Sequence, residues 1–81
     1  MRVEIQDRVY KELSKIDRSQ QKKILKAIKN LENYPDVQNI KKLKNFQPNY
    51  RFRVGNYRVL FDIEDDTIVV SGIRHRKNAY D

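Results

Sequence analysis

The sequence contains no cysteine and only one histidine, His75. Without thiols the chain cannot form a disulfide, a thiolate metal site or a thiol nucleophile, and one imidazole is too few for an ordinary structural zinc site. We therefore expect no metal and no other cofactor. No apolar run is long enough to span a bilayer, and no signal-peptide segment follows Met1. These absences predict a cytoplasmic protein.

The 81 residues predict one domain spanning 1–81, and their net charge of +7 favours an anionic partner. Nucleic acid, an acidic protein and a membrane surface are the candidates. Most lysines lie in the first 44 residues, whereas five of the eight arginines lie between Arg51 and Arg76. Because arginine binds phosphate in a bidentate manner and lysine acts more as a point charge, the second half of the chain is the stronger candidate for phosphate binding.

Residues 50–61 predict a β-hairpin, because apolar and basic residues alternate on both sides of Gly55-Asn56. Glycine in the first position of a two-residue turn is typical of type II′. Pairing across this turn places the apolar residues on one face, with the pairs Val54–Tyr57, Phe52–Val59 and Tyr50–Phe61. The same register places Arg53 opposite Arg58, with Arg51 beside them. Like charges in opposition destabilise a sheet, so the cluster indicates an anionic ligand such as phosphate.

The signals for the remaining strands and helices are weaker than the signal for the hairpin. Val3 and Ile5 predict a short strand, Asp7 an N-cap, and Asp17 a second N-cap with a capping box to Gln20. The apolar stripes of the two helices contain Val9, Leu13 and Ile16, and then Ile24, Ala27, Ile28 and Leu31. Residues 41–46 contain a candidate edge strand.

The last strand, Thr67 to Arg74, leaves two registers open. A two-residue turn at Asp65-Asp66 places Ile68 and Val70 on the core face. A three-residue turn places Ile73 there, together with Thr67, Val69 and Ser71, and Arg74 on the arginine face. The order β-α-α-β-β-β predicts an α+β fold, with a helical hairpin packed on a mostly antiparallel sheet of four to five strands.

Three pieces of the chain resemble the RelE/ParE toxin superfamily, and specifically its RelE family. They are Lys42-Leu43-Lys44, the hairpin 50–61, and residues 72–80, which read Gly-Ile-Arg-His-Arg-Lys-Asn-Ala-Tyr. The resemblance covers nearly the whole chain. It implies a toxin of a type II toxin–antitoxin system, with a cognate RelB-like antitoxin as partner and no membrane partner. The RelE branch implies ribosome-dependent cleavage of mRNA in the ribosomal A site, whereas the ParE branch implies inhibition of DNA gyrase.

The resemblance also implies site residues. The family's basic hairpin positions match Arg51 and Arg53, its second-strand arginine matches Arg58, and its C-terminal arginine and tyrosine match Arg74 and Tyr80. Some members have lysine where Arg51 and Arg53 stand. A lysine whose pKa is lowered can act as a base, whereas arginine stays protonated.

The implied reaction is attack of a ribose 2′-OH on the adjacent phosphate, which needs positive charge around the non-bridging oxygens. We expect Arg58 and Arg74 to clamp this phosphate. The expected phosphate-binding residues around them are Arg51, Arg53, Lys42, Lys44 and Arg76. An ion pair with a carboxylate is the purely structural alternative for the two clamp arginines.

Two residues are candidate proton carriers. Tyr80 needs a pKa lowered by nearby arginines to act as a base, and its alternative role is packing. His75 has the side chain that titrates nearest neutrality, but strand alternation places it on the face opposite Arg74. A general nucleic-acid-binding module without cleavage is a third hypothesis, which predicts salt-dependent RNA affinity alone.

Overall fold

The computed structural model describes residues 1–45 and 47–78. Its elements are β1 (Arg2–Ile5), α1 (Asp7–Ser14), α2 (Arg18–Asn30), β2 (Ile40–Lys42), β3 (Tyr50–Val54), β4 (Tyr57–Glu64) and β5 (Thr67–His75). Single 3₁₀ turns follow α2 (Leu31–Asn33) and β5 (Arg76–Asn78). The strands form one sheet in the order β1-β5-β4-β3-β2, in which β1 is parallel to β5 and the other pairs are antiparallel. The predicted α+β class is confirmed.

Both helices pack on one face of this sheet, as their apolar stripes predict. Helix α1 contributes Val9 and Leu13 and packs against β5, whereas α2 contributes Ile24 and Ile28 and packs against β3. The sheet residues of this core are Phe52, Val54, Val59, Phe61, Ile68, Val70 and Ile73. Full burial of such side chains stabilises the fold by roughly 1.5–3 kcal/mol each.

Of the two predicted N-caps, Asp17 is confirmed and Asp7 is wrong. Helix α1 begins at Asp7 itself and its N-cap is Gln6, so Asp7 lies in the first turn, where its charge suits the helix dipole. Asp17 is the N-cap of α2 but makes no side-chain bond to the helix backbone. Its carboxylate instead accepts a bond from the hydroxyl of Ser19. The predicted capping box to Gln20 is therefore wrong, because the Asp17 carboxylate pairs with a nearer side-chain donor.

The β3–β4 hairpin has the predicted register. Val54 pairs with Tyr57, and the pairing continues through Phe52–Val59, Tyr50–Phe61 and Arg53–Arg58. Gly55 has a φ of +59°, whereas Asn56 keeps an ordinary negative φ. A positive φ in the first turn position alone fits type II′, as predicted.

Strand β5 combines the two registers that the sequence left open. The two-residue turn places Ile68 opposite Ile63 and Val70 opposite Phe61. A β-bulge then shifts the register between Leu60 and Phe61, and pairing resumes at Leu60–Gly72. Because one extra residue inverts the alternation, Ile73 returns to the core face and Arg74 lies opposite Arg58.

The longest helix of the described ranges, α2, has 13 residues. None of the helices in these ranges combines the length and apolar character needed to cross a membrane.

Candidate phosphate-binding site

Five cationic side chains line one cleft on the sheet face opposite the helices. The cleft, which we call the arginine groove, has a volume of about 490 Å³. Its lining residues are Asn39, Ile40, Lys41, Arg51, Arg53, Arg58 and Arg76. Among these described lining residues none is acidic. The groove therefore concentrates positive charge within a small volume.

Strand register explains why four of these cations form two facing pairs. Arg53 lies opposite Arg58 across β3 and β4, and Lys41 lies opposite Arg51 across β2 and β3. Because directly opposed residues have Cβ atoms only about 4.5–5.5 Å apart, the side chains share one small surface. Arg51 and Arg58 are each only 8% exposed, whereas Arg53 is exposed. The groove thus has a buried cationic floor and an exposed cationic rim.

Two loop segments complete the groove. Asn39 adopts a φ of +69°, which asparagine tolerates better than most residues, and its carbonyl accepts a bond from the Arg53 N–H at 3.0 Å. On the other side, the Arg76 N–H donates to the Asn56 carbonyl at 2.7 Å. This bond ties the start of the last 3₁₀ turn to the hairpin tip. Both segments therefore reach the groove through backbone contacts with the hairpin.

Arg74 does not line the arginine groove, although its backbone pairs with that of Arg58. Its Nη1 donates to Oε2 of Glu12 at 2.6 Å and to its neighbour's carbonyl, that of Ile73, at 2.9 Å. The carboxylate partner is on α1, not among the acidic residues of β4. The structure thus separates the two arginines expected to form one clamp.

His75 lies with Arg74 in a second cleft, which we call the edge cleft. Its other lining residues are Glu12, Lys15, Ile16, Tyr57 and Ile73. The His75 ring meets the Tyr57 ring edge-on, with centroids 5.1 Å apart, and its Nδ1 accepts the Lys77 N–H at 3.2 Å. Strand alternation predicts that His75 and Arg74 lie on opposite faces of the sheet. The Arg74 side chain nevertheless reaches round the edge of β5 into the cleft that His75 lines.

Lys42 and Lys44 lie in a third cleft, together with Leu43, Asn45 and Asn49. The Lys42 ammonium stands 5.9 Å from the centre of the Tyr50 ring, a distance at which cations are attracted to aromatic faces. Neither lysine is among the groove-lining residues. The two lysines therefore add positive charge outside the groove.

The other expected site residue, Tyr80, lies outside the described residues, as does Phe46 of the candidate edge-strand segment. Across residues 1–45 and 47–78, no group of three or more potential metal-ligating side chains comes together.

Sequence reasoning missed Lys41 and Asn39 as groove residues. The lysine run 41–42 signals an edge strand, but a strand of three residues does not reveal its own register. Only the pairing of Lys41 with Arg51 shows which lysine faces the groove. Asn39 gives no signal beyond its tolerance of a left-handed backbone.

Comparisons with known proteins show the family of this chain. The family model described as ParE toxin of the type II toxin–antitoxin system parDE matches residues 3–80. Toxin RelE3 of Methanocaldococcus jannaschii is 39% identical over 61 residues, which cover 74% of this chain and 69% of that protein.

Two solved structures resemble the fold closely. The RelB–RelE antitoxin–toxin complex from Methanococcus jannaschii has a TM-score of 0.74 and 30% identity, covering 91% of each chain. The archaeal RelE–RelB complex from Pyrococcus horikoshii OT3 has a TM-score of 0.74 and 26% identity, covering 96% of this chain and 97% of the other. This protein belongs to the RelE/ParE family and is a toxin of a type II toxin–antitoxin system.

Proposed function

We propose that this toxin is a ribosome-dependent endoribonuclease that cuts mRNA in the ribosomal A site and so inhibits translation. The observation that carries the proposal is the arginine groove, with its five cations and no carboxylate among its described lining residues. A phosphodiester backbone supplies the anion, and guanidinium groups bind its oxygens with two parallel hydrogen bonds. The RelE names of similar proteins support this branch of the family.

The proposed reaction is an in-line transfer at phosphorus. The ribose O2′ forms a bond to the adjacent phosphorus as its proton leaves, and the bond to the departing O5′ breaks as that oxygen gains a proton. The products are a 2′,3′-cyclic phosphate and a 5′-OH. Negative charge on the non-bridging oxygens grows during the reaction, and fixed cations stabilise it without reorganising.

The residues divide by position. Arg58, in the buried floor, is proposed to hold the reacting phosphate, while Arg51, Arg53 and Arg76 bind its neighbours. Lys41 joins this set from β2. Lys42 and Lys44 are proposed to attract RNA from outside the groove.

The proton carriers are less well placed than the phosphate-binding arginines. His75 lines the edge cleft with Arg74, and neither residue lines the arginine groove. Tyr80 and His75 stay the candidates, and Arg74 must turn toward the groove to join the clamp.

The expected partners follow from the same chemistry. We infer that a RelB-like antitoxin neutralises the toxin, since the two archaeal structures compared above are complexes of RelE with RelB. A chain with a net charge of +7 suits an acidic segment that folds on binding. Because the proposed substrate is mRNA on the ribosome, we expect the toxin to act in the cytoplasm.

Primer extension on a defined mRNA in a cell-free translation reaction tests the proposal. The wild-type protein should cut within codons, and only when ribosomes are present. Arg58→Gln should slow cleavage about 10²–10³-fold, the typical cost of removing one donor that stabilises a developing oxyanion. Arg18→Gln is the matched control, since it removes the same charge from an exposed position at the start of α2. Intact mRNA with the folded wild-type protein would overturn the proposal.

Inhibition of DNA gyrase is the second candidate, and the description of the matching family model favours it. A gyrase supercoiling assay with purified protein separates the two functions. Loss of supercoiling without mRNA cleavage would assign this chain to the ParE branch, whereas undisturbed supercoiling with ribosome-dependent cuts would assign it to the RelE branch.

A further inference from the structure

One edge of β5 is covered by side chains of α1 where β1 ends. Strand β1 pairs with Thr67–Val70, and its last backbone bond runs from the Gln6 N–H to the Val70 carbonyl. Beyond this point, the Nε of Arg8 donates to the Ser71 carbonyl at 2.7 Å. Oε1 of Glu12 accepts the Ile73 N–H at 3.0 Å. The carboxylate of Glu12 is therefore fixed against the edge of β5 by a backbone contact.

The second oxygen of that carboxylate holds Arg74. Oε2 of Glu12 accepts Nη1 of Arg74 at 2.6 Å, and this guanidinium lies over Gly72. A Cβ built on Gly72 would come within 3.2 Å of Nη1. The absence of a side chain at position 72 lets Arg74 fold back along the strand and reach α1.

Arg74 nevertheless starts from a position that suits the arginine groove. Its Cα is the direct partner of Arg58, which lines the groove. The two residues therefore project from neighbouring points on one face. Only the direction of the Arg74 side chain, drawn round the edge toward Glu12, keeps the guanidinium away from the groove.

We propose that Glu12 is a positioning residue that holds the Arg74 guanidinium outside the arginine groove and releases it when a phosphate of RNA occupies the groove. The inference rests on the proposed function, because the phosphate is the competing anion. The side chains of Arg74 and Glu12 are 44% and 31% exposed. An ion pair this exposed is weak, so a bound phosphate can displace it. While Glu12 holds Arg74, only a fraction of the protein molecules has Arg74 free to contact RNA. Breaking the ion pair therefore raises the apparent affinity for RNA.

Glu12→Gln removes the charge and keeps an oxygen that can accept the Ile73 N–H. The probe is a fluorescent single-stranded 2′-O-methyl RNA octamer, which cannot be cleaved by 2′-OH attack. Glu64→Gln, at the exposed far end of β4, is the control with the same change in charge. We expect Glu12→Gln to bind the octamer about two- to fivefold more tightly than Glu64→Gln, the range that a weak exposed ion pair allows. With Arg74→Ala added to both, this difference should vanish.

Equal affinities of Glu12→Gln and Glu64→Gln, or a difference that survives Arg74→Ala, would overturn the proposed role of Glu12 and leave the nuclease proposal intact. If the wild-type protein binds no octamer at low salt, binding of RNA phosphates in the arginine groove is contradicted, and the cell-free cleavage assay still tests the nuclease proposal. The Nε–H signal of Arg74 in nuclear magnetic resonance spectra tests, without RNA, whether Glu12 holds the Arg74 side chain. It should report an ordered side chain in the wild type and in Glu64→Gln and a mobile one in Glu12→Gln. An equally ordered Arg74 signal in the wild type, Glu64→Gln and Glu12→Gln would show that Glu12 does not hold Arg74.

Discussion

Arg58 and Arg74 are direct partners across β4 and β5, yet their side chains belong to different clefts. Arg58 is buried in the floor of the arginine groove, whereas Arg74 turns round the sheet edge to the carboxylate of Glu12. The β-bulge near Leu60 places Arg74 on the same face of the sheet as Arg58. Gly72, which has no side chain, leaves room for the Arg74 side chain to bend toward Glu12. The backbone position of Arg74 and the direction of its side chain are therefore set by different contacts.

Arg53→Gln should weaken binding of single-stranded RNA and reduce its salt dependence. Arg53 lies on the exposed rim of the groove opposite Arg58, so its loss removes a phosphate contact with little effect on the core. The slope of log K against log salt should fall by about 0.7, the value for one phosphate on a single strand. Fluorescence anisotropy across a salt series measures it, and Arg18→Gln is the charge-matched control. Equal losses for both variants would mean that general charge, and not the groove, binds RNA.

Gly72→Ala should loosen the contact between Glu12 and Arg74 and leave the fold intact. The new methyl group would come within 3.2 Å of Nη1 of Arg74 and 3.5 Å of Cδ1 of Leu60. Because Nη1 is the end of a flexible side chain, the guanidinium moves away. The free energy of unfolding should fall by less than about 1 kcal/mol, which is the scale of an exposed ion pair. Urea unfolding measures this cost, which should shrink when Arg74→Ala is already present. An identical cost in both backgrounds would contradict the steric explanation.

Asp62→Ala should destabilise the loop before β3. Oδ1 of Asp62 accepts the Asn49 N–H at 2.6 Å, and Oδ2 accepts Nε2 of Gln47 at 3.1 Å. Removing the carboxylate leaves a partly buried N–H without this partner, which typically costs about 1–3 kcal/mol of unfolding free energy. Urea unfolding measures the change. Asp66→Ala, in the exposed turn after β4, is the control and should cost much less. Similar losses in both variants would remove Asp62 as the anchor of this loop.

Tyr34 should make the protein less stable in alkali. Burial raises the pKa of Tyr34, and the neighbouring Tyr50 raises it further. A raised pKa means that the folded chain holds this proton more tightly. The resulting stability is fully present below the unfolded-state value of about 10 and is lost as pH rises through the folded-state value. Tyr34→Phe should therefore flatten the decline of the thermal midpoint above about pH 10. The control is Tyr10→Phe on the exposed side of α1, and an equal flattening there would contradict the assignment.

The hairpin is the part of the fold that sequence determined most completely. Gly55-Asn56 sets the turn, and the period of two along residues 50–61 then fixes every pair, because a slip of one residue would turn the arginines toward the apolar core. The helical stripes were equally readable, since Val9, Leu13, Ile24 and Ile28 follow the helix period. These signals are local, and local spacing is what a sequence records.

The register of the C-terminal end of β5 was not readable, because the sequence did not show that a bulge inverts the alternation within the strand. The grouping of candidate residues depended on this register. The family resemblance led us to expect Arg74 in a clamp with Arg58, and strand alternation separated Arg74 from His75, whereas the structure puts Arg74 and His75 in one cleft beside Glu12. A long side chain at a strand edge can turn to either face, and the decision rests on a carboxylate 62 residues away along the chain.

The sequence by itself determined that this chain is a basic α+β domain of the RelE/ParE kind with an arginine-bearing hairpin. Tertiary structure alone decided which further cations line the groove beside the hairpin arginines. Lys41 enters through the pairing of β2 with β3, and Arg76 enters through its backbone bond to Asn56. The physical reason is that a charged side chain has no periodic signature of its own. Its neighbours are chosen by strand pairing and by backbone hydrogen bonds between residues far apart in the chain.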